Sequence, residues 1–309
     1  MKKFVTVIFI ISLFSSCTTL NKNNPYPDMK TLTYNGNFAY EFKSKGGRTD
    51  KLIMVFEGSG WGSSLGLYED NEWRFTGTGA QLIQALRSDY TILMPEKWNR
   101  VPGINYIDDM NARLQYTKEN LIECYVSTID NYIAENNFSG VFLIGTSEGA
   151  AVLPLVYESM KNKSLVKGMV SVAAGGLSIY ESYLINIEKE NISDFWKDAY
   201  SYSIRMQENL EEYYESTEKT PMGLVHRQMA SFLNLRPFDY YVTIDIPVLF
   251  IHGKKDLNIA VESTMYIKEN LPAKPFEYII YEDMGHIPMN DPERDRFRAD
   301  IEKWIRHNS

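Results

Sequence analysis

An α/β domain, with a mostly parallel central sheet covered by helices on both faces, is the fold class this sequence predicts. Three observations carry it. Short apolar runs rich in strand formers recur at 52–56, 90–95, 141–144, 166–172, 247–251 and 276–281. Helical patterns separate several of them, and such alternation is what parallel strands joined by helical crossovers require. The runs 52–56 and 141–144 are also continuously apolar, as expected of strands buried on both faces.

Composition narrows the class further. A chain of 309 residues, 44% hydrophobic and 13% aromatic, suits one large domain with an ample core. The formal charge is -8, from 32 basic and 40 acidic residues. With no cluster of Lys and Arg to neutralise phosphates, nucleic-acid binding is not expected. The two cysteines, Cys17 and Cys124, have different settings. Cys124 falls on a helical stripe with Leu121, Tyr125, Ile129, Tyr132 and Ile133, and reads as a plain buried thiol. No Cys or His pair has metal-ligand spacing, so neither a metal nor another cofactor is expected.

Taken in order, Lys2 and Lys3 precede an apolar run over 4–14, then Ser15-Ser16 and Cys17. The run is too short to span a bilayer but fits an export signal. The small residues before Cys17 resemble the bacterial lipoprotein signal, apart from Phe14 where that pattern has Leu. The resemblance implies cleavage after residue 16, lipidation of Cys17 and anchoring in the cell envelope to a bacterial membrane. Loss of Lys2 and Lys3 would leave 30 basic against 40 acidic residues, a formal -10. The polar stretch 17–30 reads as a tether, and 31–309 as the folded domain. Residues 31–42 supply an opening strand.

The run 52–56 leads into Glu57-Gly58-Ser59-Gly60, a glycine-rich turn that lets backbone approach a ligand. The run 141–144 leads into Gly145-Thr146-Ser147-Glu148-Gly149, followed by a helix over 150–157. A serine held between a buried strand and a helix sits on a tight turn, where bulky neighbours two positions away would clash. Pro154 lies inside that helix and should kink it. The alternation stops at 177–241, where Phe195, Ala199, Tyr202, Met206, Leu210 and Tyr213 repeat at helical spacing. After 276–281, Asp291 and Pro292 read as a helix cap and first-turn proline, with Phe297, Ile301, Trp304 and Ile305 as the buried face.

The G-x-S-x-G unit between strand and helix resembles the nucleophile elbow of α/β-hydrolases. The resemblance implies that fold from about residue 31, with a helical lid inserted over about 177–241. It makes Ser147 the nucleophile and the Glu148 N–H one oxyanion donor. The Glu57–Gly60 turn resembles the H-G-x segment of that family, which implies a second donor at Ser59; Glu57 departs from the usual His. Beside the nucleophile, the Glu148 carboxylate is expected either to favour the helix N-terminus or to attract a substrate cation.

A serine hydroxyl needs a base, and the base needs an acid to orient it. Of four histidines, His307 is at the terminus, His226 is in the expected lid and His252 ends a strand. His286, after the last strand, remains. Asp256 follows the preceding strand, giving the order Ser147, Asp256, His286, which is that of α/β-hydrolases. Glu282 and Asp283 are alternative acids but lie on the same loop as His286. The expected function is a serine esterase acting on a small-molecule acyl substrate. The alternatives are a peptidase or amidase of the same fold, or a lipoprotein that binds a ligand without cleaving it.

Overall fold

A computed structural model describes residues 26–46, 50–59, 64–65, 78–97, 110–190 and 192–309. The expected signal over 1–16, Cys17 and the first part of the tether lie outside the described residues. The body begins before residue 31. Tyr26 is buried with its ring 5.1 Å from that of Phe42, and Asp28 pairs with Arg87, so 26–30 belong to the domain rather than to a tether.

The eight strands are β1 (Lys30–Tyr34), β2 (Asn37–Phe42), β3 (Lys51–Phe56), β4 (Thr91–Pro95), β5 (Gly140–Thr146), β6 (Val166–Val172), β7 (Val248–Gly253) and β8 (Phe276–Tyr281). They form one sheet in the order β1-β2-β4-β3-β5-β6-β7-β8. β2 runs antiparallel to both neighbours and the other pairings are parallel. The single opening strand expected over 31–42 is a hairpin. Asn35 and Gly36 both take positive φ, 51° and 84°, as a two-residue hairpin turn demands.

Helices α1 (Thr78–Leu86), α2 (Met110–Gln115), α3 (Lys118–Glu135) and α4 (Glu148–Ser159) precede β6. Between β6 and β7 come α5 (Ile179–Ile187), α6 (Asp194–Met206), α7 (Leu210–Glu215), α8 (His226–Leu233) and α9 (Phe238–Tyr241). α10 (Glu262–Asn270) and α11 (Asp291–His307) complete the chain. Alternate residues of a strand face opposite sides of the sheet, and the core divides accordingly. Leu52, Met54 and Leu143 pack with Leu121, Tyr125 and Val152 of α3 and α4. Ile53, Val55, Phe142 and Ile144 pack on the other side with Leu82 of α1 and Phe297, Ile301 and Trp304 of α11. Each such buried side chain contributes about 1.5–3 kcal/mol of transfer free energy. β5 sits between the two layers, and all seven of its residues are buried.

The segment between β6 and β7 has a core of its own, with Tyr183, Tyr200, Met206, Met229 and Leu233 at its centre. The one helix expected around 195–213 is two. The backbone leaves the helical region at Asn209, with φ -147°, and α7 starts afresh. The buried stripe of α6 is Ala199, Tyr200, Ser203 and Met206, and Phe195 points outward. The cap of α11 is Asn290 rather than Asp291; its side chain accepts from the Glu293 N–H at 3.0 Å.

Candidate active site

The parallel strands all end at one edge of the sheet, and the loops that follow them meet there. β3 and β5 are neighbours in register from Lys51 opposite Gly140 to Phe56 opposite Gly145. The chain proceeds outward in one direction from β3 through β4 and in the other from β5 through β6, which makes their junction the topological switch point. The turn carrying Ser59 follows β3, and Ser147 follows β5.

Ser147 has φ 53° and ψ -116°, a backbone state costing on the order of 1–3 kcal/mol for a residue with a side chain. The surroundings hold it there. Its N–H donates to Val172 O at 2.8 Å, and its carbonyl accepts the Ala151 N–H at 2.8 Å. Glycine is required on both sides. A Cβ at Gly145 would lie 2.6 Å from Gly149 O, and one at Gly149 would lie 2.4 Å from Phe56 O. The first turn of α4 is thereby pressed against the end of β3.

Ser147 Oγ lies 2.8 Å from His286 Nε2, and His286 Nδ1 lies 2.7 Å from Asp256 Oδ2. An acidic Asp256 makes Nδ1 the protonated nitrogen and leaves Nε2 to accept from the Ser147 hydroxyl. Asp256 is buried, and its Oδ1 accepts the N–H groups of Asn258 (2.7 Å) and Ile259 (3.0 Å). Burial alone would raise its pKa. The opposing charge of His286 and the hydrogen bonds from His252 and His286 outweigh that and hold the carboxyl well below the usual carboxylate range. The alternative acids are directed elsewhere: exposed Glu282 and Asp283 pair with Lys254 and Lys255 at 2.8 and 2.9 Å.

The other histidines have separate places. His226 packs inside the helical segment against Tyr202 and Ser216, and His307 ends α11. His252 is fully buried and shapes more than the turn after β7. Its Nε2 donates to Asp256 Oδ2 at 3.2 Å and to Ile259 O at 3.1 Å, while Nδ1 meets Thr264 Oγ1 at 2.8 Å.

Ser147, Glu148, His286 and Ser59 line one cavity of about 450 Å³. Its roof is the segment between β6 and β7, through residues such as Tyr183, Leu224, Met229 and Phe232. The Glu148 carboxylate does not face this space as a free anion. Tyr116 Oη and Gln228 Nε2 (2.7 Å) donate to it, and Lys97 Nζ is 3.7 Å away. The groups that meet this carboxylate are thus supplied by the protein itself. Glu57 also has a structural partner, accepting the Gly79 N–H in the first turn of α1. Burial raises its pKa, opposed by that bond and by the charge of Lys97. α4 continues through Pro154 to Ser159. Among the described residues, no group of three or more His, Cys, Asp or Glu side chains could hold a metal ion.

Lys97, Tyr116, Gln228 and the second role of His252 escape sequence reasoning. The signal for Lys97 is a charged pair, Glu96-Lys97, directly after a buried strand.

No sequence-family profile and no curated protein matches the chain. Solved structures do. Est1E from Butyrivibrio proteoclasticus with ferulic acid bound superposes with a TM-score of 0.59 at 13% identity, covering 90% of this chain and 98% of that one. The esterase EaEST from Exiguobacterium antarcticum gives 0.56 at 15% identity, covering 90% and 99%. The acylaminoacyl peptidase from Pyrococcus horikoshii gives 0.58 at 12% identity, covering 91% of this chain and 42% of the larger one. Together with the strand order, these likenesses make the fold that of the α/β-hydrolases.

Proposed function

We propose that this protein is a serine hydrolase that cleaves carboxylic esters through an acyl-enzyme. Its nucleophile is Ser147, its base and acid is His286, and Asp256 orients that imidazole. The carrying observation is the continuous relay from Ser147 Oγ to His286 at 2.8 Å and on to Asp256 at 2.7 Å, beside a cavity. His286 Nε2 takes the hydroxyl proton as Ser147 Oγ bonds to the acyl carbon. The N–H groups of Ser59 and Glu148 hold the oxyanion; in another serine hydrolase the loss of one such donor costs about 3 kcal/mol of barrier. Collapse breaks the bond to the alcohol oxygen, which leaves with the proton from His286. Water then attacks with His286 as base, releasing the acid and restoring the serine.

A cavity of about 450 Å³ suits a small or medium acyl group. Esterases are among the solved structures that share the fold. The test is fluorophosphonate labelling together with hydrolysis of p-nitrophenyl esters of increasing acyl length. Labelling should vanish in Ser147→Ala and kcat fall by more than about 10⁴-fold. An unlabelled, inactive wild type would instead support a ligand-binding scaffold. Because a peptidase also shares the fold, matched ester and amide substrates separate the two hydrolytic activities.

The reading extends to the segment 177–241 as a lid, supported by its own core and its place over the cavity. It extends also to export and lipidation at Cys17, supported by the residue pattern of 1–17 alone. Metabolic labelling with a fatty-acid analogue should mark the wild type and not Cys17→Ser.

A further inference from the structure

Lys97 is an unusual residue to find where it is. It follows β4 and is 4% exposed, and burying an ammonium costs several kcal/mol unless it is paired and hydrogen-bonded. Its partners are specific. Nζ donates to the carbonyl of Gly58, lies 3.7 Å from Glu148 Oε1 and sits 5.7 Å from the centre of the Tyr116 ring. Two of these partners belong to the residues that frame the nucleophile. The Gly58 carbonyl and the Ser59 N–H are the two ends of one peptide unit. Glu148 carries the other backbone N–H assigned to the oxyanion.

A trans peptide is planar, with its C=O and N–H on opposite sides. A cation fixed on the carbonyl therefore fixes the direction of the N–H. The charge-assisted bond also polarises the unit, which makes that N–H a stronger donor. The loop has little room to move otherwise: a Cβ at Gly58 would lie 3.1 Å from Ser147 Cβ. Through its side chain, Glu148 is tied to the same ammonium, so one lysine links the two turns whose N–H groups must converge.

We infer that Lys97 is the positioning residue of the oxyanion hole, holding the Gly58–Ser59 peptide and the Glu148 turn in the arrangement that receives the developing oxyanion. This rests on the serine-hydrolase reading of Ser147. In this role Lys97 acts through the two donors, so its contribution appears when negative charge develops on the carbonyl oxygen rather than when the ester binds.

The experiment compares wild type, K97M and K97R on one p-nitrophenyl ester, with cooperative thermal unfolding checked first. K97M should lose kcat by roughly 10- to 100-fold, with KM within about threefold. The rate of fluorophosphonate labelling should fall in parallel, since the phosphonyl oxygen occupies the same donors. K97R, which keeps the charge but offers a planar fork, should lie between the two. A wild-type kcat in K97M, or a loss confined to KM, overturns the inference. Should K97M not unfold cooperatively, K97Q is read by the same two constants, and an unchanged kcat there is equally fatal. If Ser147 of the wild type does not label, the underlying reading fails. If it labels while K97M keeps its kcat, only the role of Lys97 does.

Discussion

Two imidazoles share one oxygen of Asp256: His286 Nδ1 at 2.7 Å and His252 Nε2 at 3.2 Å. His252 is fully buried and is itself held by Thr264. It therefore limits how far the carboxylate can rotate as His286 changes charge. Replacing His252 with Leu removes a hydrogen bond to a buried charge, which is worth about 1.5–3 kcal/mol. Urea unfolding at pH 7 should show a loss of that size. The pH dependence has a definite sign. Asp256 has a depressed pKa in the folded state, so the stability it contributes is present above its ordinary value of 3.8 and is lost as pH falls below that. With one of the groups that depress it gone, the variant has less of this stability to lose. The gap between wild type and His252→Leu should hold down to about pH 4 and narrow only in stronger acid, where the pH passes through the variant's folded-state pKa before that of the wild type; a gap that never narrows in acid would mean that His252 supports the fold without acting on Asp256.

At the scale of elements, legibility followed the physics of each signal. The strands later named β3 to β8 and the buried face of α11 stood out because burial on both faces, or on one stripe, leaves a strong periodic mark. The β1–β2 hairpin left its mark as well, in Asn35-Gly36, but a partly alternating stretch concealed the break. The division of α6 from α7 had no glycine or proline to announce it, because the helix ends at Asn209 through its own backbone. The order of Ser147, Asp256 and His286 could be read because parallel strands deliver successive loops to one edge. The cluster of Lys97, Tyr116, Glu148 and Gln228 could not. Its members come from four segments, and only the packing of α8 over the β4 and β5 loops unites them.

Across the whole molecule, the relay depends on how closely the loops after β7 and β8 are docked. Lys254 N donates to Tyr281 O at 2.9 Å and Lys255 N to Met284 O at 3.0 Å, which pins the two loops together. Gly253 makes the approach possible: a Cβ there would lie 2.0 Å from Gly285 O and 2.4 Å from Met284 O. Both are backbone atoms and cannot swing aside as a side chain could. His286 is the next residue along, and Asp256 is three residues beyond Gly253. Gly253→Ala must therefore open the space between the loops and displace the imidazole relative to the carboxylate and to Ser147. Overpacking of this kind costs about 1–3 kcal/mol of stability. A displacement approaching 1 Å in a catalytic group costs about 100-fold in rate. Gly253→Ala should accordingly remain folded, with a lower urea midpoint and a kcat reduced about 10- to 100-fold. KM should change little, because the cavity walls contributed by the β6–β7 segment are untouched. A variant with the wild-type kcat would show that the imidazole reaches Ser147 without the close docking of these two loops.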